Sequence, residues 1–174
     1  VGGIAIVILG IITYKHIILA LSAPFMSPVS EKIERHLLGR DHLHRNTTNT
    51  AQLWRGIRIN VRNFLMEILF TVPLLILSLI PILNIVTGIV IFLIQSYYAG
   101  FGNMDYTLER HLTYRDSTQF VRNNSGIAIG NGLVFMGMLL LPVIGIILVL
   151  PLSVTASTTA TLRLLDENKR LKTA

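Results

Sequence analysis

Three arginines, Arg55, Arg58 and Arg62, recur at three- and four-residue intervals, so a helix would set them along one face. Such a row can concentrate anions ahead of a membrane pore, although basic surface helices share the pattern. Shortly beyond lies Glu67, an acid just inside a long apolar run. A carboxylate there is costly unless paired or wetted, so Arg58 or Arg62, or a water-filled path, is expected beside it. Asn123 and Asn124, with Asn131 further on, bring amide donors to the start of an apolar helix. The first N–H groups of such a helix lack partners, a generic arrangement for an anion. Arg55, Arg58, Arg62, Glu67, Asn123 and Asn124 are therefore the candidate solute-path or gating residues. Asp105, Glu109, Arg110, Arg115, Asp116 and Arg122 occupy a polar stretch between apolar runs. Salt links joining helices are the more ordinary use of such charges, and solute gating the rarer one.

Other chemistry is less well supported. His36, His42, His44 and His111, with Asp41 beside the His-x-His pair, invite a metal, but no HExxH or cysteine framework accompanies them. A solvated basic loop explains these histidines, so neither metal nor cofactor is expected. No serine sits in a GxSxG elbow, and no enzyme class is indicated. Gly126 and Gly130, then Gly132 and Gly137, give an apolar helix a small-residue face. Close helix packing is its commoner meaning, and space for a permeation path the alternative. Thr155, Ser157, Thr158 and Thr159 form a hydroxyl-rich segment that can bond back to its own helix or to a neighbour.

The elements that must position these residues belong to a membrane protein. The 174-residue chain is 52% hydrophobic and only 14% charged, with mean hydropathy +0.62 and no cysteine. Soluble domains carry about 25% charged residues. Residues 68–104 contain no Asp, Glu, Lys or Arg for 37 positions, and residues 123–162 contain none for 40. A bilayer core of roughly 30 Å needs about 20 helical residues, so each run must fold back on itself. The fold class is thus all-α: one long leading transmembrane helix from Val1 to Phe25, then two proline-centred helix hairpins over 64–100 and 126–162. The first helix is expected to end near Ala23-Pro24, since proline disfavours helical geometry in the residue before it. Ser30, Glu31 and Glu34 then read as the early turns of a short helix stopped by Gly39. In this reading 26–62 is a cytoplasmic or interfacial helical section, whose apolar face is Leu53, Ile57, Val61 and Phe64, and 101–124 is a connector on the same side. Turns are expected at Pro81-Asn84 and at Pro142-Gly145. The segments IPILNIV and LPVIGII, 61 residues apart, form a weak internal repeat. Each hairpin arm has only about 15 clearly apolar residues, which leaves both full spanning and partial penetration open.

Charge placement sets an expected topology. Seven Lys/Arg at 32–62, three Arg at 110–122 and four Lys/Arg at 163–172 lie outside the apolar runs. The positive-inside rule puts these sections and the C-terminus in the cytoplasm. The net charge of +6 then reflects topology and attraction to anionic membrane lipids rather than nucleic acid. Such a topology puts Val1 on the far side and calls for a preceding helix, so the chain reads as a single membrane domain that begins partway through.

The ordered set Ala23-Pro24-Phe25, Val29 to Glu34, Pro81-Ile82-Leu83-Asn84, Asp105-Tyr106 with Arg110-His111, Arg122 to Gly130, and Pro142 to Gly145 resembles the CysZ sulfate-permease family, which includes the etoposide-induced protein domain. The likeness spans nearly the whole chain but only the later part of the family domain. It implies an inner-membrane helical protein, assembled as a homo-oligomer, that admits sulfate or a similar anion by a channel-like or permease route and feeds cysteine biosynthesis. Pro24 and Phe25 match the family's helix break, Glu31 and Glu34 the acidic positions after it, and Asp105 and Tyr106 its aspartate–tyrosine pair. These positions, with Arg110, are assigned to architecture or gating. Thr107 stands where the family usually has proline. A permease for another solute and a non-transporting membrane scaffold are the alternatives.

Overall fold

Six helices account for the computed structural model, which describes residues 2–39, 48–139, 141 and 144–173. They are α1 (Gly2–Leu38), α2 (Asn49–Leu77), α3 (Asn84–His111), α4 (Tyr114–Asn123), α5 (Ser125–Leu139) and α6 (Ile144–Thr173). Four segments are long and apolar enough to cross a membrane: Ile6–Leu38, Thr50–Leu77, Asn84–His111 and Leu148–Asn168. The shorter α5 is an apolar helix with Asn131 as a polar exception. The protein is a multi-pass helical membrane protein in architecture.

Burial is inverted relative to a water-soluble bundle. Ile6, Phe25, Trp54, Ile82 and Ile85 are among many large apolar side chains on the outside, whereas Lys15, Asn63, Glu67, Thr107 and Ser157 are fully buried. Lipid tails are as apolar as leucine, so helices in a bilayer gain little by burying leucine and associate through small and polar residues. The sequence of α2 shows the consequence. Its inward face is Gly56, Asn60, Asn63, Glu67 and Thr71, at helical spacing, while on the expected interfacial face Val61 points outward and Leu53, Ile57 and Phe64 are half-buried.

Helix α3 is the axis of the bundle and touches all five others. Every residue from Tyr98 to Glu109 is buried. The connector expected over 101–124 therefore starts late, because Phe101–Glu109 continues α3 and lies at the centre of the molecule. The arm expected at Ile85–Ala99 is accordingly about three turns longer, and neither α2 nor α3 is too short to span. What makes α3 central is its run of small and polar residues: Ser96, Gly100, Gly102, Asn103 and Thr107 let other backbones come close. A Cβ added to Gly100 would stand 1.8 Å from the Ala128 carbonyl oxygen, and one on Gly132 would stand 1.7 Å from that of Ser96. The packing pair is thus Ser96/Gly100 against Ala128/Gly132. Gly126, Gly130 and Gly137, which the sequence offered as part of the small face, have open space where a Cβ would be.

Helix α1 also departs from expectation. It runs unbroken through Pro24 and Pro28 and stops at Gly39, whose φ of 60° only glycine adopts readily. Ser30, Glu31 and Glu34 are in its last turns rather than the first turns of a new helix, and Ser30 and Glu34 are buried rather than wet. Prolines are tolerated in membrane helices where neighbours take up nearby backbone groups. Tyr106 Oη donates to Leu19 O at 2.5 Å and Arg110 Nη1 to Ser27 O at 3.3 Å, tying the stretch around the prolines to α3, although the carbonyls the prolines free are those of Ala20 and Pro24. Gly56 of α2 packs against Ala20 and Ala23, where a Cβ would meet Ala23 Cβ at 2.7 Å.

Residues Ser78–Leu83, including Pro81, form the turn between α2 and α3, and Asn84 is the first residue of α3. Thr87 Oγ1 donates to Leu83 O and Asn84 O, tightening that helix start. Pro142 of the corresponding later turn lies outside the described residues, as do Asp41, His42 and His44; Gly145 is in the first turn of α6. Helix α4 opens on Thr113, whose Oγ1 accepts from Asp116 N.

Candidate functional site

Among the described residues four polar clusters run through the interior, each built where α3 meets two other helices. The first joins α1, α2 and α3. Lys15 Nζ donates to Glu67 Oε1 at 2.6 Å and to Gln95 O at 2.8 Å, with both ionic side chains 0% exposed. His16 Nε2 lies 2.9 Å from Glu67 Oε2, and its Nδ1 lies 3.2 Å from Asn60 Oδ1. Asn60 Nδ2 in turn donates to Gly56 O. Glu67 is thus held by α1 and not by Arg58 or Arg62. Those arginines are a turn or more toward the other end of α2, while Lys15 and His16 face the carboxylate directly across the helix pair. A groove of about 300 Å³, lined by Thr13, Ile17, Val61 and Phe64, opens on the His16 and Asn60 side of this cluster.

The second cluster joins α1, α3 and α6. Ser30, Thr107 and Thr158 close a triangle of hydroxyls at 2.8, 3.0 and 2.9 Å. Arg110 Nη2 donates to Ser30 Oγ at 2.8 Å and to Glu34 Oε2 at 3.0 Å, while its Nε donates to the same carboxylate oxygen at 3.1 Å. His111 Nε2 stands 2.8 Å from Glu34 Oε1. One glutamate on α1 therefore draws together the last turn of α3. Glu31 pairs with Arg35 on the same helix.

The third cluster joins α2, α3 and α4. Arg55 Nε and Nη2 reach Asp105 Oδ2 and Oδ1 at 3.2 and 2.8 Å, a bidentate fork, and Arg55 also donates to Leu112 O and Ser117 Oγ. Glu109 lies one turn beyond Asp105 on α3, and its Oε1 is buried without a hydrogen-bond partner among the described residues. Between α3, α5 and α6, Asn103 Nδ2 donates to Asn131 Oδ1 at 2.8 Å and Asn131 Nδ2 to Ser153 O at 2.9 Å. Ser157 Oγ donates to Asn103 O, while Thr155 and Thr159 bond back to their own helix.

The six candidate path residues do not converge on one point. Arg55 is tied to Asp105; the Arg58 guanidinium covers the Tyr114 ring at 4.4 Å, and that of Arg62 lies 5.6 Å from the Phe101 centroid while donating to Asn63 Oδ1. Asn123 accepts from Gln119 at the surface, and Asn124 caps α4 through Phe120 O. Glu67 is alone among the six in lying within the Lys15 cluster. Of the motif residues, Glu34 and Arg110 pair in the second cluster, Asp105 binds Arg55 in the third and Tyr106 reaches Leu19 of α1, whereas Phe25 and Pro81 are exposed. Sequence reasoning passed over Lys15 and His16 as exceptions in an apolar helix. Their presence in such a run was the signal, since ionisable residues at membrane depth face partners or a cavity. Among the described residues no group of three or more His, Asp or Glu side chains is placed to hold a metal ion.

No curated protein matches the chain. Residues 1–150 match the family described as sulfate transporter CysZ/etoposide-induced protein 2.4, a family of transporters rather than enzymes. With that match over most of its length and ionic clusters enclosed by apolar-faced helices, the chain belongs to the CysZ/etoposide-induced protein 2.4 family.

Proposed function

We propose that this protein carries sulfate or a similar small oxyanion across the inner membrane by a channel-like or permease mechanism, supplying sulfur assimilation and cysteine biosynthesis. The observation that carries the reading is the family match over residues 1–150. The interior fits it, because buried Lys15 and His16 provide cationic groups at membrane depth, where such groups are costly to keep and mark solute pathways. The working form is a homo-oligomer in a bilayer, with the polar connectors and C-terminus in the cytoplasm, where lysine and arginine of residues 163–172 meet anionic lipid.

A second reading has its own support. Glu34, Glu67 and Asp105 are each paired with a cation, as a static membrane scaffold requires. Radiolabelled sulfate uptake into proteoliposomes separates the two, with chloride and phosphate as competitors. Transport predicts uptake above empty vesicles that unlabelled sulfate suppresses. Uptake no faster than in empty vesicles, from protein shown to be inserted and oligomeric, supports the scaffold.

A further inference from the structure

The first polar cluster holds a charge that its own members do not cancel. Asn60 Nδ2 is committed to the Gly56 carbonyl, so its Oδ1 faces His16, and His16 Nδ1 must carry the hydrogen of that bond. His16 Nε2 and Glu67 Oε2, 2.9 Å apart, then need a second proton between them. It sits on the imidazole beside a carboxylate, or on the carboxyl beside a neutral imidazole. In either case His16 and Glu67 sum to zero, and the Lys15 ammonium is left as one net positive charge in a fully buried site.

Two unused groups stand on the same face of α2. Asn63 and Thr71 flank Glu67 at one turn on each side, both fully buried, and Asn63 Nδ2 and Thr71 Oγ1 have no hydrogen-bond partner among the described residues. Both can donate. A net positive charge and two unfilled donors along roughly 12 Å of helix call for an acceptor carrying negative charge.

We propose that Lys15, His16, Asn63 and Thr71 form a binding site for a tetrahedral oxyanion, and that Glu67 is its plug, a carboxylate holding the ammonium until an anion displaces it. The anion takes the two Lys15 hydrogen bonds now directed to Glu67 Oε1 and Gln95 O, or shares them, and gains the amide of Asn63 or the hydroxyl of Thr71. His16 keeps the released carboxylate compensated. The site deepens the transport reading but does not depend on it, since binding is measurable without flux.

The test is sulfate binding to the purified full chain by isothermal titration, beside labelled sulfate uptake into vesicles of phosphatidylethanolamine and phosphatidylglycerol. Glu67→Gln removes the competing carboxylate and keeps the net charge, because the introduced amide can donate to His16 Nε2. Its expected effect is binding about tenfold tighter, because the anion no longer has to displace a charge-assisted hydrogen bond from the ammonium. Lys15→Met leaves a neutral His16–Glu67 pair, which protects folding, and is expected to abolish binding. Asn63→Leu and Thr71→Val alter no charge, and the one that removes the donor the anion takes should weaken binding by about fivefold, the value of one hydrogen bond, while the other leaves it unchanged. Sulfate affinity unchanged in Glu67→Gln, or retained in a folded Lys15→Met protein, overturns the site. Wild-type uptake with that null binding pattern leaves transport standing and removes the site. The expected binding pattern without uptake from any variant keeps the site and removes transport.

Discussion

Buried ionic side chains here act as cross-links between helices, and their energetics follow from what each would face alone. Glu34 receives Arg110 and His111 while almost wholly buried, so removing Arg110 leaves its carboxylate with one weaker partner and frees Ser27 O and Ser30 Oγ. Arg110→Met is expected to destabilise the fold by about 3–5 kcal/mol, and the double variant Arg110→Met/Glu34→Met by clearly less. Thermal unfolding in detergent reads the difference, and equal losses would show that the stranded Glu34 carboxylate carries no penalty. A milder change tests the contact beside the α1 prolines. Tyr106→Phe deletes the hydroxyl that donates to Leu19 O and should cost about 1 kcal/mol with the ring packing intact. At this scale the sequence was half legible. Glu67 stood out as an acid needing a partner, yet that partner is 52 positions away in Lys15, and no spacing rule connects residues on separate helices.

Among the elements, α3 with α5 forms the closest pair, and the contact is made by backbones rather than side chains. Gly100→Ala forces a methyl group onto the Ala128 carbonyl, so the two helices must separate; a cost of about 1–3 kcal/mol is expected, seen as a lower unfolding midpoint. Gly126→Ala and Gly130→Ala meet nothing within 4 Å and should leave the midpoint within about 0.5 kcal/mol of wild type. If Gly126→Ala proved as damaging as Gly100→Ala, the helix pairing would be wrong. Both glycine sets look alike in sequence. Only the rotation of α5 about its axis tells them apart, and an apolar helix of near-uniform hydrophobicity gives no face to read.

For the whole molecule, the absence of cysteine makes topology directly measurable, because any introduced cysteine is the sole thiol. Arg115, Glu167 and Ile82 are exposed and occupy α4, the late part of α6 and the α2–α3 turn. In oriented vesicles, a membrane-impermeant maleimide should label Arg115→Cys and Glu167→Cys from the same side. Ile82→Cys should react from the other side or resist labelling within the bilayer. Labelling of Arg115→Cys and Glu167→Cys from opposite faces would refute the shared cytoplasmic side of connector and C-terminus.

The sequence by itself determined that this is a helical membrane protein with polar sections between charge-free runs, and it carried the family likeness. Those properties follow from local composition, since the price of placing a charge or an open backbone in lipid is set residue by residue. It also marked Asp105, Tyr106 and Arg110 as a group, because a short motif on one helix stays together when folded. Only the tertiary structure decided which face of each helix looks inward. The face of Leu53, Ile57, Val61 and Phe64 is not the one that looks into the bundle, since in lipid burying apolar groups gains little and Asn60, Asn63 and Glu67 must find partners instead. Tertiary structure likewise decided that α1 runs on through Pro24, with Tyr106 and Arg110 of α3 bonded to that stretch. It brought Lys15 to Glu67 because pairing at depth is a property of packed helices rather than of any one segment.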